Sequence, residues 1–219
     1  MIKHNNSLAD QVYEQLERDI ILGNYTIGDV ITETEFASKL GVSRTPVREA
    51  LNRLEHENLV EETGKGTRIV GMSRKDILTI YKVRELIEGI CAREAAENIS
   101  DEALIEMKEI LEYNEFCLER GMNAEKIREN DNRFHELLYK SSEDAVLYNI
   151  LIPLHKKAGR FRQVNLSDQK RATKSTKEHR EIYEALKSHD GDKAEAAAIK
   201  HVANAGKTVE KRKEGGKEQ

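Results

Sequence analysis

A mostly α-helical protein in two parts is what this sequence predicts, and three observations predict it. Apolar residues recur at helical spacing over most of the 219 residues, with 38% hydrophobic and 35% charged side chains and no tryptophan. Only two prolines are present, Pro46 and Pro153, so long helices can run unbroken. One short stretch around Gly64-Lys65-Gly66 carries a strand signal, and almost everything beyond residue 73 reads as helix.

The elements follow in order. Ser7-Leu8-Ala9-Asp10 has the form of a capping box, and Leu8, Val12, Leu16 and Ile20 form a stripe at i+4 steps behind it. Gly23-Asn24-Tyr25 and Gly28 break that helix. Thr32-x-x-Glu35 opens a second helix, and Gly41 makes a turn after it. Ser43 is placed to cap a third helix, which puts Pro46 in its first turn, where a missing N–H is tolerated. Val47, Ala50, Leu51 and Leu54 then face inward. Residues 59–62 and 67–70 flank the glycine pair and predict a small β-hairpin. Two short helices, a tight turn and a hairpin together predict a winged helix-turn-helix over 1–72.

Ser73-x-x-Asp76 opens the second region. Helices are expected near 74–98, 101–120, 124–141, 144–163, 168–189 and 191–211, the fourth with a bend near Pro153. Six antiparallel helices on short loops make a bundle over 73–212, followed by a polar tail at 213–219.

The bulk numbers exclude several function classes. Cys91 and Cys117 form neither a metal-ligand cluster nor a disulfide framework, which fits a reduced, cytoplasmic setting. No apolar run approaches the roughly 20 residues that span a bilayer, and the first residues lack the apolar region of a signal peptide. The formal net charge is −4, and residues 1–72 themselves carry 8 Lys/Arg against 12 Asp/Glu. Any contact with nucleic acid must therefore come from a local basic tip, drawn from Arg44, Arg48, Arg53, Lys65 and Arg68.

Arg44 and Arg48 lie four residues apart on one face, near the start of the third helix. Helix-turn-helix proteins read the DNA major groove from that position. Arginine bonds guanine O6 and N7 bidentately, Ser43 and Thr45 can bond phosphates or base edges, and Lys65 beside Gly66 can reach a phosphate or the minor groove. The competing reading is a surface helix whose arginines pair with Glu49 or Glu55.

Gly41-Val42-Ser43-Arg44-Thr45-Pro46-Val47-Arg48-Glu49-Ala50-Leu51, followed by Leu54 and Leu59-Val60, closely resembles the GntR family of bacterial transcription regulators over about residues 8–72. The resemblance implies that Arg44 and Arg48 recognise an operator, with Ser43 and Thr45 close to the backbone. Many relatives have Arg where this chain has Thr34, so one expected DNA contact is missing and the operator cannot be copied from relatives.

Asp131 and His135 share a helical face, His179 lies on the fifth effector helix and His201 on the sixth. Three imidazoles and a carboxylate suit Zn²⁺, Ni²⁺, Mn²⁺ or Fe²⁺, and bundle cores host such ions. Spacing alone leaves open that these are ordinary surface histidines, as His4, His56, His155 and His189 are taken to be. The helical half resembles the FCD effector domain of the FadR-type GntR branch, and its six helices resemble the shorter, VanR-like subgroup. That resemblance implies a metal held by Asp131, His135, His179 and His201, with zinc the ion expected on purification and a small carboxylate effector completing its shell. It also implies an altered loop at Ser141-Ser142-Glu143-Asp144, where relatives often have Gly-Asn.

Arg84 matches the family's R-x-x-x-E pattern. It could bond an effector carboxylate or pair with Glu88 at i+4. Arg160 and Arg162 are further effector candidates. The expectation is a homodimeric repressor on a palindromic double-stranded DNA operator, controlled by a small organic acid. The alternatives are a regulator for which the metal is itself the signal, and a metalloenzyme, against which stands the lack of a general base or nucleophile near the motif.

Overall fold

The computed structural model describes residues 7–21, 23–121, 124–165 and 169–211, the side chains at 124, 160–165, 169 and 211 excepted. The chain divides into two compact units, residues 1–73 and 74–219.

The first unit contains α1 (Leu8–Ile21), β1 (Val30–Ile31), α2 (Glu33–Leu40), α3 (Arg44–His56), β2 (Val60–Thr63) and β3 (Gly66–Ile69). The box at the head of α1 is built with Asp10 in place of the usual glutamate: its backbone N–H donates to Ser7 Oγ and its carboxylate accepts from the Ser7 N–H. Thr32 and Glu35 form the reciprocal box on α2. Gly41 ends α2 at φ 66°, a conformation glycine adopts without strain, and so turns the chain into α3. Ser43 has the extended backbone of an N-cap, but its hydroxyl makes no capping bond, which leaves that hydroxyl available to a ligand. Leu16, Phe36, Val47, Leu54, Leu59 and Ile69 close the core.

The hairpin pairs in the expected register, with each strand lying one residue nearer the turn, and it gains a third strand, in the order β1-β3-β2, all antiparallel. β1 is two residues long and has no periodicity of its own, so it forms only because Val30 and Ile31 pair with Arg68 and Thr67. Gly66 sits at this junction with φ 137°, and a Cβ there would lie 2.8 Å from the Ile31 carbonyl oxygen. Gly66→Ala therefore strains both the backbone and the β1–β3 pairing. It is expected to cost on the order of 1–3 kcal/mol, read as a lower melting temperature and faster amide exchange across β3.

The second unit contains α4 (Arg74–Asn98), α5 (Asp101–Glu119), α6 (Ala124–Ser141), α7 (Ala145–Asn165), α8 (Gln169–Lys187) and α9 (Gly191–Lys211). Ser100, Asp144 and Asp190 cap α5, α7 and α9 by accepting backbone N–H groups. α4 and α9 run antiparallel: Arg74 reaches the Val209 carbonyl, Tyr81 faces Gly206, Gly89 faces Ile199, and Arg93 pairs with Glu195. Small residues permit this close approach. Ala92, Ala95 and Ala96 on α4 and Ala194 and Ala198 on α9 are fully buried. Cys91 and Cys117 are buried in this unit, Cys91 in the core cluster of α4, and burial raises the Cys91 thiol to about 12. The Ser141–Asp144 loop closes without glycine. Glu143 takes the left-handed conformation (φ 59°), and the Ser141 and Ser142 hydroxyls bond back to the Leu137 and Tyr139 carbonyls. No described helix is long and apolar enough to cross a membrane.

Candidate functional site

Two clusters of functional side chains emerge, one in each unit. In the first, Ser43, Arg44, Thr45 and Arg48 occupy the exposed start of α3. The two arginines do not pair with Glu49 or Glu55. Both instead donate to the carboxylate of Glu33, the first residue of α2. Lys65 is exposed at the hairpin tip beside Gly66. Arg53 bonds Asp10 at 2.7 Å and lies over the Tyr13 ring, so it braces α1 against α3. Arg68 pairs with Glu61 across the hairpin. Of the five basic candidates, Arg53 and Arg68 thus join elements within the fold, while Arg44 and Arg48 share Glu33 at the start of α2.

In the second unit, His135 from α6, His179 from α8 and His201 from α9 converge, with one ligand nitrogen from each lying within 4.8 Å of the others. All three rings are buried. His179 Nε2 lies 3.3 Å from His201 Nε2 and 3.7 Å from Asp131 Oδ1. Asp131 and His135 share a face of α6, as their spacing requires.

His155 corrects the expectation of an ordinary surface histidine. It is 2% exposed, its Nε2 lies 3.7 Å from Asp131 Oδ2, and its ring centroid is 4.3 Å from that of His135. Its Nε2 also lies 3.1 Å from Asn132 Oδ1. A single histidine in Leu154-His155-Lys156-Lys157 has no partner at helical spacing, so only the packing of α6 against α7 reveals it. His56 is exposed, and His189 bonds the Ala96 carbonyl at 2.7 Å, tying the end of α8 to α4. His4 and residues 213–219 lie outside the described residues, as do the side chains of Arg160 and Arg162.

Two further carboxylates orient the imidazoles. Glu178 Oε2 lies 2.9 Å from His201 Nδ1, and Arg171 and Asn204 hold the same carboxylate. Glu88 Oε1 lies 3.1 Å from His135 Nδ1, and its other oxygen accepts from Arg84. Where Nδ1 donates to a carboxylate, as His201 can to Glu178, the ring turns its Nε2 lone pair inward, the arrangement that orients metal-binding histidines; His135 Nδ1 faces Glu88 and also lies 3.3 Å from the Tyr139 hydroxyl. His135 Nε2 is buried and has no hydrogen-bond partner among the described residues. An unpaired acceptor of this kind is costly unless an ion or ligand group engages it.

Burial opposes ionisation of Glu88, but Arg84 and His135 outweigh it and hold the carboxyl well below its usual range. Burial also lowers His179, with His201 adding repulsion, and brings His201 down to about 4 despite the opposing bond to Glu178. Both rings are therefore neutral at pH 7 and available as ligands. The donor set, imidazole nitrogen with one carboxylate, fits a divalent transition metal. Arg84 is fully buried and makes the Glu88 ion pair at 2.9 Å, while its Nη1 has no hydrogen-bond partner among the described residues.

Comparison with known proteins agrees with both halves. Residues 8–69 match the bacterial regulatory proteins of the gntR family, and residues 79–204 match the FCD domain. The HTH-type transcriptional regulator YdhC of Bacillus subtilis is 31% identical over 192 residues, covering 87% of this chain and 86% of its own. The HTH-type transcriptional repressor RspR of Escherichia coli is 26% identical, covering 91% and 87%. The structure of E. coli McbR/YncC shares the fold at a TM-score of 0.71 and 22% identity, over 93% of this chain and 97% of that one. The chain belongs to the gntR family of bacterial regulatory proteins, with an FCD domain as its second half, and is a DNA-binding transcription regulator and not an enzyme.

Proposed function

We propose a homodimeric repressor whose operator affinity is set by a small carboxylate bound beside a divalent metal in the FCD domain, of the shorter VanR-like kind. The observation that carries this reading is the buried convergence of His135, His179 and His201 beside Asp131, with an unpaired nitrogen facing inward. Asp131, His135, His179 and His201 hold the metal, zinc as purified, which supplies a Lewis-acidic anchor for an anionic effector. His155 and Arg84 complete the chamber: His155 faces the Asp131 carboxylate, and the Nη1 of Arg84 is a buried cationic donor with no hydrogen-bond partner among the described residues. A buried guanidinium with donors to spare favours a carboxylate over a neutral ligand.

The DNA-reading residues are Ser43, Arg44, Thr45 and Arg48 on α3, with Lys65 and Gly66 at the hairpin tip. Exposed apolar pairs at i,i+4 support self-association: Leu86 and Ile90 on α4, and Val146 and Ile150 on α7. Two-fold symmetry then makes the operator a palindrome. The effector changes operator affinity only through its differential binding to the two conformers of the bundle, and here binding releases the DNA.

The name of the repressor RspR supports the sign of the regulation. Native mass spectrometry of protein purified without added metal tests the chamber. The expected species is a dimer carrying one metal per chain together with a small acid. A metal-free dimer that takes up no added zinc overturns the reading.

A further inference from the structure

Glu33 stands between the two arginines of α3 and uses both carboxylate oxygens on them. Oε2 accepts from Arg44 Nε at 3.1 Å and Nη2 at 2.8 Å, while Oε1 accepts from Arg48 Nε at 2.7 Å and Oε2 from Arg48 Nη2 at 3.0 Å. Hydrogen bonds from Arg48 and then Arg44 lower its carboxyl to about 2, so it is ionised at any working pH. The arginine side chains are 59% exposed. Exposed ion pairs add little stability and cost the freedom of long side chains, so stability does not account for a carboxylate shared by two arginines.

Geometry does account for it. Each guanidinium spends its Nε/Nη2 edge on Glu33. The Nη1 end of the fork remains, and that end can reach guanine O6 and N7. The clamp also removes rotamer freedom from two flexible side chains before DNA arrives, which lowers the ordering cost of binding in that pose. A shared carboxylate further cancels one of the two positive charges. In a unit with 8 basic and 12 acidic residues, that weakens the sequence-independent attraction to phosphates.

From this arrangement we infer that Glu33 is a selectivity residue: it holds Arg44 and Arg48 in a base-facing pose and withholds them from the phosphate backbone. The inference rests on the reading of DNA by α3 given above. It runs against the simple view of an acidic residue at a DNA interface as a pure obstacle. An obstacle weakens binding to all sequences alike, whereas a clamp separates right sequences from wrong ones.

The test uses the full chain and Glu33→Gln, which is nearly isosteric and cannot form the charge-assisted clamp. The probes are a palindromic duplex enriched by the wild-type protein from a random-sequence pool, and a mixed-sequence duplex of equal length. Affinity for each is measured as a function of salt. Glu33→Gln is expected to bind the mixed-sequence duplex about tenfold more tightly, with a salt slope steeper by about 2–4 for a dimer whose four arginines turn to phosphates. The ratio of enriched to mixed affinity is expected to fall at least tenfold. A melting curve confirms that the variant is folded. An unchanged ratio, with both duplexes bound more tightly to the same degree, would reduce Glu33 to a repelling charge and overturn the inference. If wild type enriches no sequence at all, the α3 reading fails instead.

Discussion

Arg48→Ala is expected to abolish sequence-specific operator binding and to leave the protein folded. The side chain is exposed, and its hydrogen bonds go to the half-buried carboxylate of Glu33, which Arg44 continues to pair, so little folding energy is lost with it. A bidentate arginine–guanine contact is worth about 1–3 kcal/mol, and two-fold symmetry doubles the loss in a dimer. The expected fall is roughly 30-fold to 10⁴-fold on the enriched palindrome, with a much smaller change on mixed-sequence DNA. Fluorescence anisotropy gives the affinities and thermal melting gives the control. Full affinity in the variant would remove α3 from the recognition surface.

His179→Ala is expected to release the metal and lower the melting temperature. A ligand present at 100 times its Kd stabilises the folded state by about 2.7 kcal/mol, which corresponds to roughly 5–10 °C for a unit of this size. The ring also stacks on Phe134 at 4.5 Å, so alanine leaves a cavity as well. His179→Gln separates the two effects, since it retains most of the volume and loses the imidazole. Chelation should lower the melting temperature of wild type and leave that of both variants unmoved. Metal content by elemental analysis provides an independent measure. Wild-type metal content in His179→Gln would mean that the convergent histidines do not share an ion.

Much of the architecture was legible because it depends on local signals. Several of the described helices start or stop where capping residues and glycines put them. Thr32-x-x-Glu35 and Gly41 do this for α2, and Ser100 and Asp190 for α5 and α9. Ser43 is the exception in detail: it has the backbone of a cap and no capping bond. β1 was not legible, because two residues cannot show a period and their pairing with β3 spans more than thirty positions.

The sites divide along the same line. Asp131 and His135 announce themselves as a pair at i+4, and Arg84 and Glu88 do likewise. Both pairs exist, yet the link between them, Glu88 to His135, crosses from α4 to α6 and has no trace in either helix. Glu178 lies beside His179 in sequence but serves His201 on α9. Glu33 clamps arginines 11 and 15 residues away, across the turn at Gly41.

The order of residues along the chain therefore determined which helices form, which face of each is apolar, and which short motif opens α3, since all of these are interactions over three or four residues. Packing alone decided that His155 faces Asp131, that carboxylates on α4 and α8 face His135 and His201, and that Glu33 meets both arginines. Those contacts join side chains whose separation in sequence sets no distance between them. They form only when whole helix faces bury one another, and that burial fixes the chemistry of this protein.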